Sequence, residues 1–279
     1  MPDVAFINGR FVSWQDATVS IDDRGFQFGD AVYEVIRTYR GTPFQLQAHL
    51  ARLDRSAREL LIPQPYSQAQ WMQWIQHGLS LAGYQEAKIY IQITRGVAPR
   101  EHSFPSQSRP TIVMTMRELK GLSSEIRRSG VAACTREDLR WGRCDIKSVN
   151  LLANVLAREE ARKAGVFETI FVREGFVMEG ALSNVMAVRG GVLMTAPESP
   201  RILSGVTRTV VLNLAKEENI PIEERFVPLD GLYAADEVFL TGTTLEVLGV
   251  VQIDGKTIGS GRPGPVTKTL ATRWAHMTG

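Results

Sequence analysis

The stretch Arg143-Cys144-Asp145-Ile146-Lys147-Ser148-Val149-Asn150-Leu151-Leu152 carries Lys147, the residue on which the reading of this chain turns. The chain has seven lysines against 25 arginines. Six of the seven read as solvated or terminal: Lys88 at a strand start, Lys120 in a polar linker, Lys163 and Lys216 near helix ends, Lys256 after the turn pair Asp254-Gly255, and Lys268 on the last helix. Lys147 instead closes a short extended stretch, between Ile146 and the apolar Val149, Leu151 and Leu152. An amine held among apolar side chains loses hydration, which disfavours its charged form. A neutral amine can attack an aldehyde. On these residues alone two readings stand: a lysine that caps a strand end, and a nucleophile.

Upstream of this stretch, apolar residues flank Asn8-Gly9, a type I′ hairpin signal. A Val-, Ile- and Tyr-rich strand is predicted over Ala31–Tyr39, turned by Arg40-Gly41. Helical spacing of Leu50, Leu53, Ala57, Leu60 and Leu61 predicts a helix from about Ala48 to Leu61. A second helix, Ser67 to Ala82, carries Trp71, Trp74, Ile75 and Leu79 as a core stripe. Strands follow near Ala87–Thr94 and Thr111–Met116, and the polar segment 120–124 reads as a linker.

Downstream, a strand is expected near Val131–Cys134 and a long helix from Val149 to Ala164, stopped at Gly165. Strands near Phe167–Arg173, Asn184–Val188 and Val192–Thr195 are joined by glycine turns. A helix over Thr207–Glu218, strands over Glu237–Thr241 and Glu246–Ile253, and a closing helix from Gly264 complete the chain. The expected fold is α+β with mixed or antiparallel sheets. It has a small N-terminal domain (1–119), a linker (120–124) and a larger C-terminal domain (125–279) that carries Lys147.

Composition narrows the function. An apolar fraction of 44% and a charged fraction of 22% are those of a globular protein of ordinary kind. A net charge of +2, with no polybasic run, gives no electrostatic case for nucleic acid or an acidic membrane. No apolar stretch approaches the roughly 18 residues of a membrane span. Met1-Pro2-Asp3-Val4 opens without a secretory pattern. Cys134 and Cys144 match no zinc or redox spacing and fit a reducing, cytoplasmic compartment. His49, His77, His102 and His276 form no metal motif, so no metal is expected. Gly259, Gly261 and Gly264 spell GxGxxG, but Pro263 interrupts the pattern and too little chain follows for the acidic ribose partner. No GxSxG elbow is present.

Other residues are ambiguous taken singly. Glu179 in Val-Met-Glu-Gly reads as a turn residue or a buried anion. Arg52 reads as a solvated helix arginine or an anion ligand, and Arg100-Glu101-His102 as a surface loop or a carboxylate clamp. Ser204-Gly205-Val206-Thr207 precedes a helix, whose N-terminus favours anions. Thr241-Gly242-Thr243-Thr244 is a second hydroxyl-rich loop.

Together these segments, with Asp23-Arg24-Gly25-Phe26-Gln27-Phe28-Gly29-Asp30, resemble the fold-type IV pyridoxal-phosphate enzymes, from near the N-terminus to Gly255. Within that group the chain is most similar to the D-amino-acid aminotransferases. The resemblance implies pyridoxal 5′-phosphate as cofactor and Lys147 as the lysine that binds it covalently and relays protons. It implies Glu179 as partner of the pyridine nitrogen, Leu203 against one ring face, and Arg52, Val206, Thr207 and Thr243 at the phosphate. It implies Tyr33, Arg100 and His102 as the trap for the substrate α-carboxylate, with the Arg100 loop reaching the neighbouring subunit of a homodimer. The implied reaction is ping-pong transamination between D-amino acids and 2-oxo acids. Relatives acting on L-branched-chain acids or (R)-amines, aminodeoxychorismate-lyase-like enzymes, and a silent cofactor-binding protein are the alternatives. The chain departs from the family at Ala181-Leu182-Ser183-Asn184, where many relatives carry serines.

Overall fold

In the computed structural model, which describes residues 3–279, Asn8 and Gly9 both take positive φ, 49° and 90°. This is the backbone of a two-residue hairpin turn, and it folds β1 (Val4–Ile7) onto β2 (Arg10–Val12). Met1 and Pro2, where the N-terminal reading and the 1–119 domain begin, lie outside the described residues. The chain divides into two compact units. One runs to Lys120 and takes in Ile146–Asn150; the other comprises Gly121–Asp145 and Leu151–Gly279.

The first unit continues with α1 (Arg24–Phe28), β3 (Ala31–Tyr39), β4 (Thr42–Pro43), α2 (Leu46–Glu59), α3 (Gln68–Ala82), β5 (Ala87–Thr94) and β6 (Ile112–Glu118). Its sheet runs β2-β1-β6-β5-β3-β4, with every pairing antiparallel. Period-two alternation puts Ile89, Ile91 and Ile93 on one face, where they meet Phe6, Ile36, Met114 and the apolar sides of α2 and α3. Trp71 and Ile75 lie in this core and Trp74 and Leu79 pack against it, as the stripe on α3 predicts. Ser67 and Gln70 close a capping box at the start of α3.

The second unit holds α4 (Ser124–Ser129), β7 (Val131–Glu137), α5 (Leu152–Lys163), β8 (Glu168–Arg173), β9 (Phe176–Gly180), β10 (Asn184–Arg189), β11 (Val192–Thr195), α6 (Val206–Glu217), β12 (Ile222–Glu224), β13 (Val227–Pro228), α7 (Leu229–Tyr233), β14 (Glu237–Gly242), β15 (Glu246–Ile253), β16 (Lys256–Thr257) and α8 (Pro265–Thr278). Its sheet runs β12-β11-β10-β14-β15-β7-β8-β9-β13 and is mixed: β7 pairs parallel with both β15 and β8. The fold is thus α+β with one antiparallel and one mixed sheet.

Four local expectations are corrected. The helix expected over Ala48–Leu61 spans Leu46–Glu59, and Leu61 is exposed at φ 55°. There the chain reverses: Ile62 donates to the Ala57 carbonyl and takes the core position in place of Leu61. The helix expected from Val149 starts at Leu152, because Val149 spends its N–H on β3. Lys147 does not end a strand but follows a turn at Cys144–Asp145. Glu179 lies inside β9, a strand that sequence periodicity did not reveal, paired to β8 through Glu174-Gly175.

Candidate functional site

Lys147 belongs to the first unit because β3 has an open edge. β4 covers that edge only at Thr38 and Tyr39. At the other end the Tyr33 N–H donates to the Lys147 carbonyl (2.9 Å), and the Val149 N–H donates to the Ala31 carbonyl (3.1 Å). The Lys147 N–H donates to Ser56 Oγ (3.2 Å) on α2. With its backbone so pinned, Lys147 places Nζ 4.2 Å from the centre of the Tyr33 ring. The amine is half-buried, and Leu152 of the supposed apolar flank is 72% exposed. Its partner is therefore an aromatic face rather than an aliphatic pocket. Tyr33 neighbours Tyr90, with ring centres 5.7 Å apart, and the Tyr90 hydroxyl donates to Gln92 Oε1. Burial, with Tyr33 close by, pushes the Tyr90 phenol up to about 12.

Arg52 is buried on the side of α2 that faces β3, not solvated. Its Nε and Nη2 donate to the two oxygens of Glu34, at 2.7 and 2.9 Å. His49, one turn earlier, sets Nδ1 2.8 Å from Glu34 Oε2. Burial alone would raise the Glu34 carboxyl, but the Arg52 charge and the hydrogen bonds from His49 and Arg52 hold it far below the usual range. Burial pushes His49 down and outweighs the pull of Glu34. Neutral His49 thus donates through Nδ1 to an ionised Glu34, and Arg52 carries the positive charge.

Arg100 and His102 lie in an exposed loop between β5 and β6. Both lie against Phe28: the Arg100 guanidinium is 4.7 Å from the ring centre, and the two rings are 5.4 Å apart. The first unit therefore presents two separate groups of expected site residues, one around Tyr33 and Lys147 and one around Phe28.

In the second unit, Glu179 is a buried carboxylate with three kinds of donor. The Leu203 N–H reaches both oxygens, Asn184 Nδ2 lies 3.0 Å from Oε2, and Arg140 Nη1 pairs with Oε1. Arg140 is anchored in turn by Asp138, through Nε at 2.9 Å and Nη2 at 3.0 Å. Asn184 Nδ2 also donates to the Leu203 carbonyl (2.9 Å). Gly205 is required here, since a Cβ on it would fall 2.0 Å from Asn184 Oδ1. Gly205 is the N-cap of α6, whose first residues are the buried Val206 and Thr207. Thr243 is half-buried in the turn between β14 and β15, beside Thr241, whose buried Oγ1 has no hydrogen-bond partner among the described residues.

Leu182 is 61% exposed, and its loop is held by Glu168, which accepts from the Leu182 N–H and from Ser183 Oγ. Cys134 and Cys144 are both free and buried. Burial pushes the Cys144 thiol up to about 11, which disfavours the thiolate form. Among the described residues no group of His, Cys, Asp and Glu could hold a metal ion, and no helix is long and apolar enough to cross a membrane.

Sequence reading missed Glu34, His49, Arg140 and Asn184. One signal was available for part of this set: His49, Arg52 and Ser56 lie at helical spacing on the same side as Leu53, which marks a polar line inside an apolar face. Nothing local marks Arg140 or Asn184.

Residues 31–253 match the family model for amino-transferase class IV. The chain is 44% identical over 265 residues to D-alanine aminotransferase of Bacillus licheniformis, covering 95% of this chain and 93% of the relative. It is 42% identical over 266 residues to D-alanine aminotransferase of Staphylococcus aureus (strain N315), covering 95% and 94%. Among solved structures it resembles the Escherichia coli branched-chain amino acid aminotransferase, with a TM-score of 0.93 and 29% identity over 100% of this chain and 95% of that one. The T.th. branched-chain amino acid aminotransferase with pyridoxamine 5′-phosphate gives a TM-score of 0.92 at 29% identity, over 99% and 93%.

Proposed function

The chain belongs to the class IV amino-transferases, and we propose that it moves amino groups between D-amino acids and 2-oxo acids with pyridoxal 5′-phosphate as cofactor. The residues suit that group part by part. Lys147 offers an amine to an aldehyde. Glu179 is a buried anion, held in one orientation, for a protonated ring nitrogen. The N-terminus of α6, the hydroxyls of Thr207 and Thr243, and the guanidinium of Arg52 suit a phosphate. Leu203 suits a ring face. When bound, the cofactor supplies a carbonyl that accepts the amino group and an electron-poor ring that stabilises negative charge at the substrate α-carbon.

Lys147 takes the proton from the α-carbon and returns it at the cofactor's aldehyde carbon, first as base and then as acid. The carrying observation is its seating. The backbone is pinned to β3 and Ser56, and Nζ sits over Tyr33, so the amine stays beside the phenol assigned to the substrate carboxylate. Glu179 keeps the ring nitrogen protonated. Tyr33, Arg100 and His102 hold the α-carboxylate, a task suited to a guanidinium fork with imidazole and phenol donors. Exposure of the Arg100 loop in the single chain supports a homodimer in which it serves the neighbouring subunit. The two free cysteines support a reducing, cytoplasmic compartment.

The test is one panel: D-alanine, D-glutamate, L-alanine, L-leucine and (R)-1-phenylethylamine, each with 2-oxoglutarate or pyruvate as acceptor. D-alanine and D-glutamate should react far faster than their L-forms. A preference for L-leucine would move the reading to the branched-chain enzymes, and pyruvate release without an acceptor would move it to a lyase.

A further inference from the structure

Arg24 is the first residue of α1 and is nearly inaccessible, yet its donors go to an exposed loop far along the chain. Nη1 donates to the carbonyls of Glu101 (2.5 Å) and Ser103 (3.3 Å), and Nη2 to that of His102 (3.4 Å). One guanidinium therefore gathers three successive carbonyls, from Glu101 to Ser103. The same group lies 4.8 Å from the centre of the Phe28 ring, against which Arg100 and His102 also pack. Arg24 is itself fixed, because Nε donates to Asp30 Oδ2 (2.9 Å). Asp30 is held from another side by Arg95, whose Nε and Nη2 reach its two oxygens at 2.7 and 3.0 Å. The Arg24 backbone is held too, its N–H donating to the Gly96 carbonyl.

The loop has no regular secondary structure, and residues 99–104 are exposed. A segment of that kind opens readily unless something ties its backbone down. A carboxylate clamp, by contrast, needs its donors held near their working geometry. Arg24 is too buried to touch a substrate, and its donors end on the backbone of the segment that carries His102 and directly follows Arg100.

We propose that Arg24 is the positioning residue of the carboxylate clamp: its buried guanidinium ties down the backbone of Glu101–Ser103 and so presents Arg100 and His102. This rests on the reading that those two side chains hold the substrate α-carboxylate. A lysine could keep the charge but not the planar fork that spans several carbonyls.

The experiment compares holoenzymes of wild type, Arg24→Lys, Arg24→Gln, Arg100→Ala and the double variant Arg24→Lys/Arg100→Ala. Steady-state kinetics separate KM from kcat for D-alanine and pyruvate, and hydrogen exchange reports the backbone amides of residues 98–106. Arg24→Lys should raise both KM values roughly 10-fold, the scale of one charge-assisted contact, with a much smaller change in kcat. Exchange in the loop should quicken while the rest of the chain is unchanged. In the Arg100→Ala background the same substitution should add little, since it acts through a residue already lost. Arg24→Gln should repeat the pattern and serves if the lysine variant loses its cofactor. Unchanged KM values in Arg24→Lys, or an equal further rise in the double variant, overturn the inference while leaving the clamp intact. An unchanged KM in Arg100→Ala overturns the clamp itself.

Discussion

Both carboxylate oxygens of Glu179 lie within hydrogen-bond distance of the Leu203 backbone nitrogen, Oε1 at 3.2 Å and Oε2 at 3.0 Å. A side chain next to the end of β9 thus holds the segment that enters α6. Asn184 completes the lock by donating to Glu179 and to the Leu203 carbonyl together. The anion proposed for the ring nitrogen and the residue proposed for the ring face are fixed by one set of hydrogen bonds.

Glu179→Gln should therefore retain the cofactor and slow the chemistry. The amide keeps the shape but not the charge that favours a protonated ring nitrogen. A charge-assisted hydrogen bond is worth ~1.5–3 kcal/mol, so the half-reaction with D-alanine should slow roughly 10- to 100-fold. Stopped-flow absorbance measures it, and a rate equal to wild type would reduce Glu179 to a structural anchor of Leu203.

Lys147→Ala should abolish turnover while leaving the fold intact, since the bonds that pin this segment to β3 use its backbone and not its amine. In wild type, borohydride reduction followed by peptide mass analysis should leave the cofactor's mass on the peptide that contains Lys147. Recovery of that mass on another lysine peptide would refute the assignment.

Glu34→Ala should be strongly destabilising, because it leaves Arg52 and His49 buried beside no anion. Breaking one side of a buried ion pair costs ~3–5 kcal/mol. Glu34→Leu combined with Arg52→Met should recover much of that loss in urea unfolding, since it removes both charges. If Glu34→Ala leaves the urea midpoint where it was, the pair is not holding α2 against β3.

His49 gives the fold an acid sensitivity. Burial lowers its pKa in the folded chain below the ordinary 6.5. As pH falls through that value the unfolded chain takes up a proton that the folded chain refuses, so stability declines, by at most ~1.4 kcal/mol per pH unit. Thermal midpoints between pH 7.5 and 5.5 should fall more steeply for wild type than for His49→Asn. Parallel curves would mean that other groups set the acid limit.

Local order was legible without any structure. Strands Ala31–Tyr39, Ala87–Thr94, Val192–Thr195 and Glu246–Ile253 are found at the limits their patterns predict. The physical reason is that alternation, helical spacing and turn residues are set by neighbours a few positions away. Even so, β9 escaped, because its flanking Glu174-Gly175 is a weak turn signal and its five residues are nearly all buried, without alternation.

By itself the sequence determined the fold class, the family resemblance and the identities of the candidate residues, since these rest on residue type and short-range pattern. The tertiary structure alone decided what those residues touch. Glu34 meets His49 and Arg52 across 15 and 18 positions, Arg24 reaches the Glu101 carbonyl across 77, and Arg140 reaches Glu179 across 39. A buried charge must find a partner or forfeit several kcal/mol, and which partner it finds depends on strand register and helix placement. The same holds for Lys147, which joins the first unit because the open edge of β3 had backbone groups to satisfy, a demand that no residue near Lys147 in the sequence could announce.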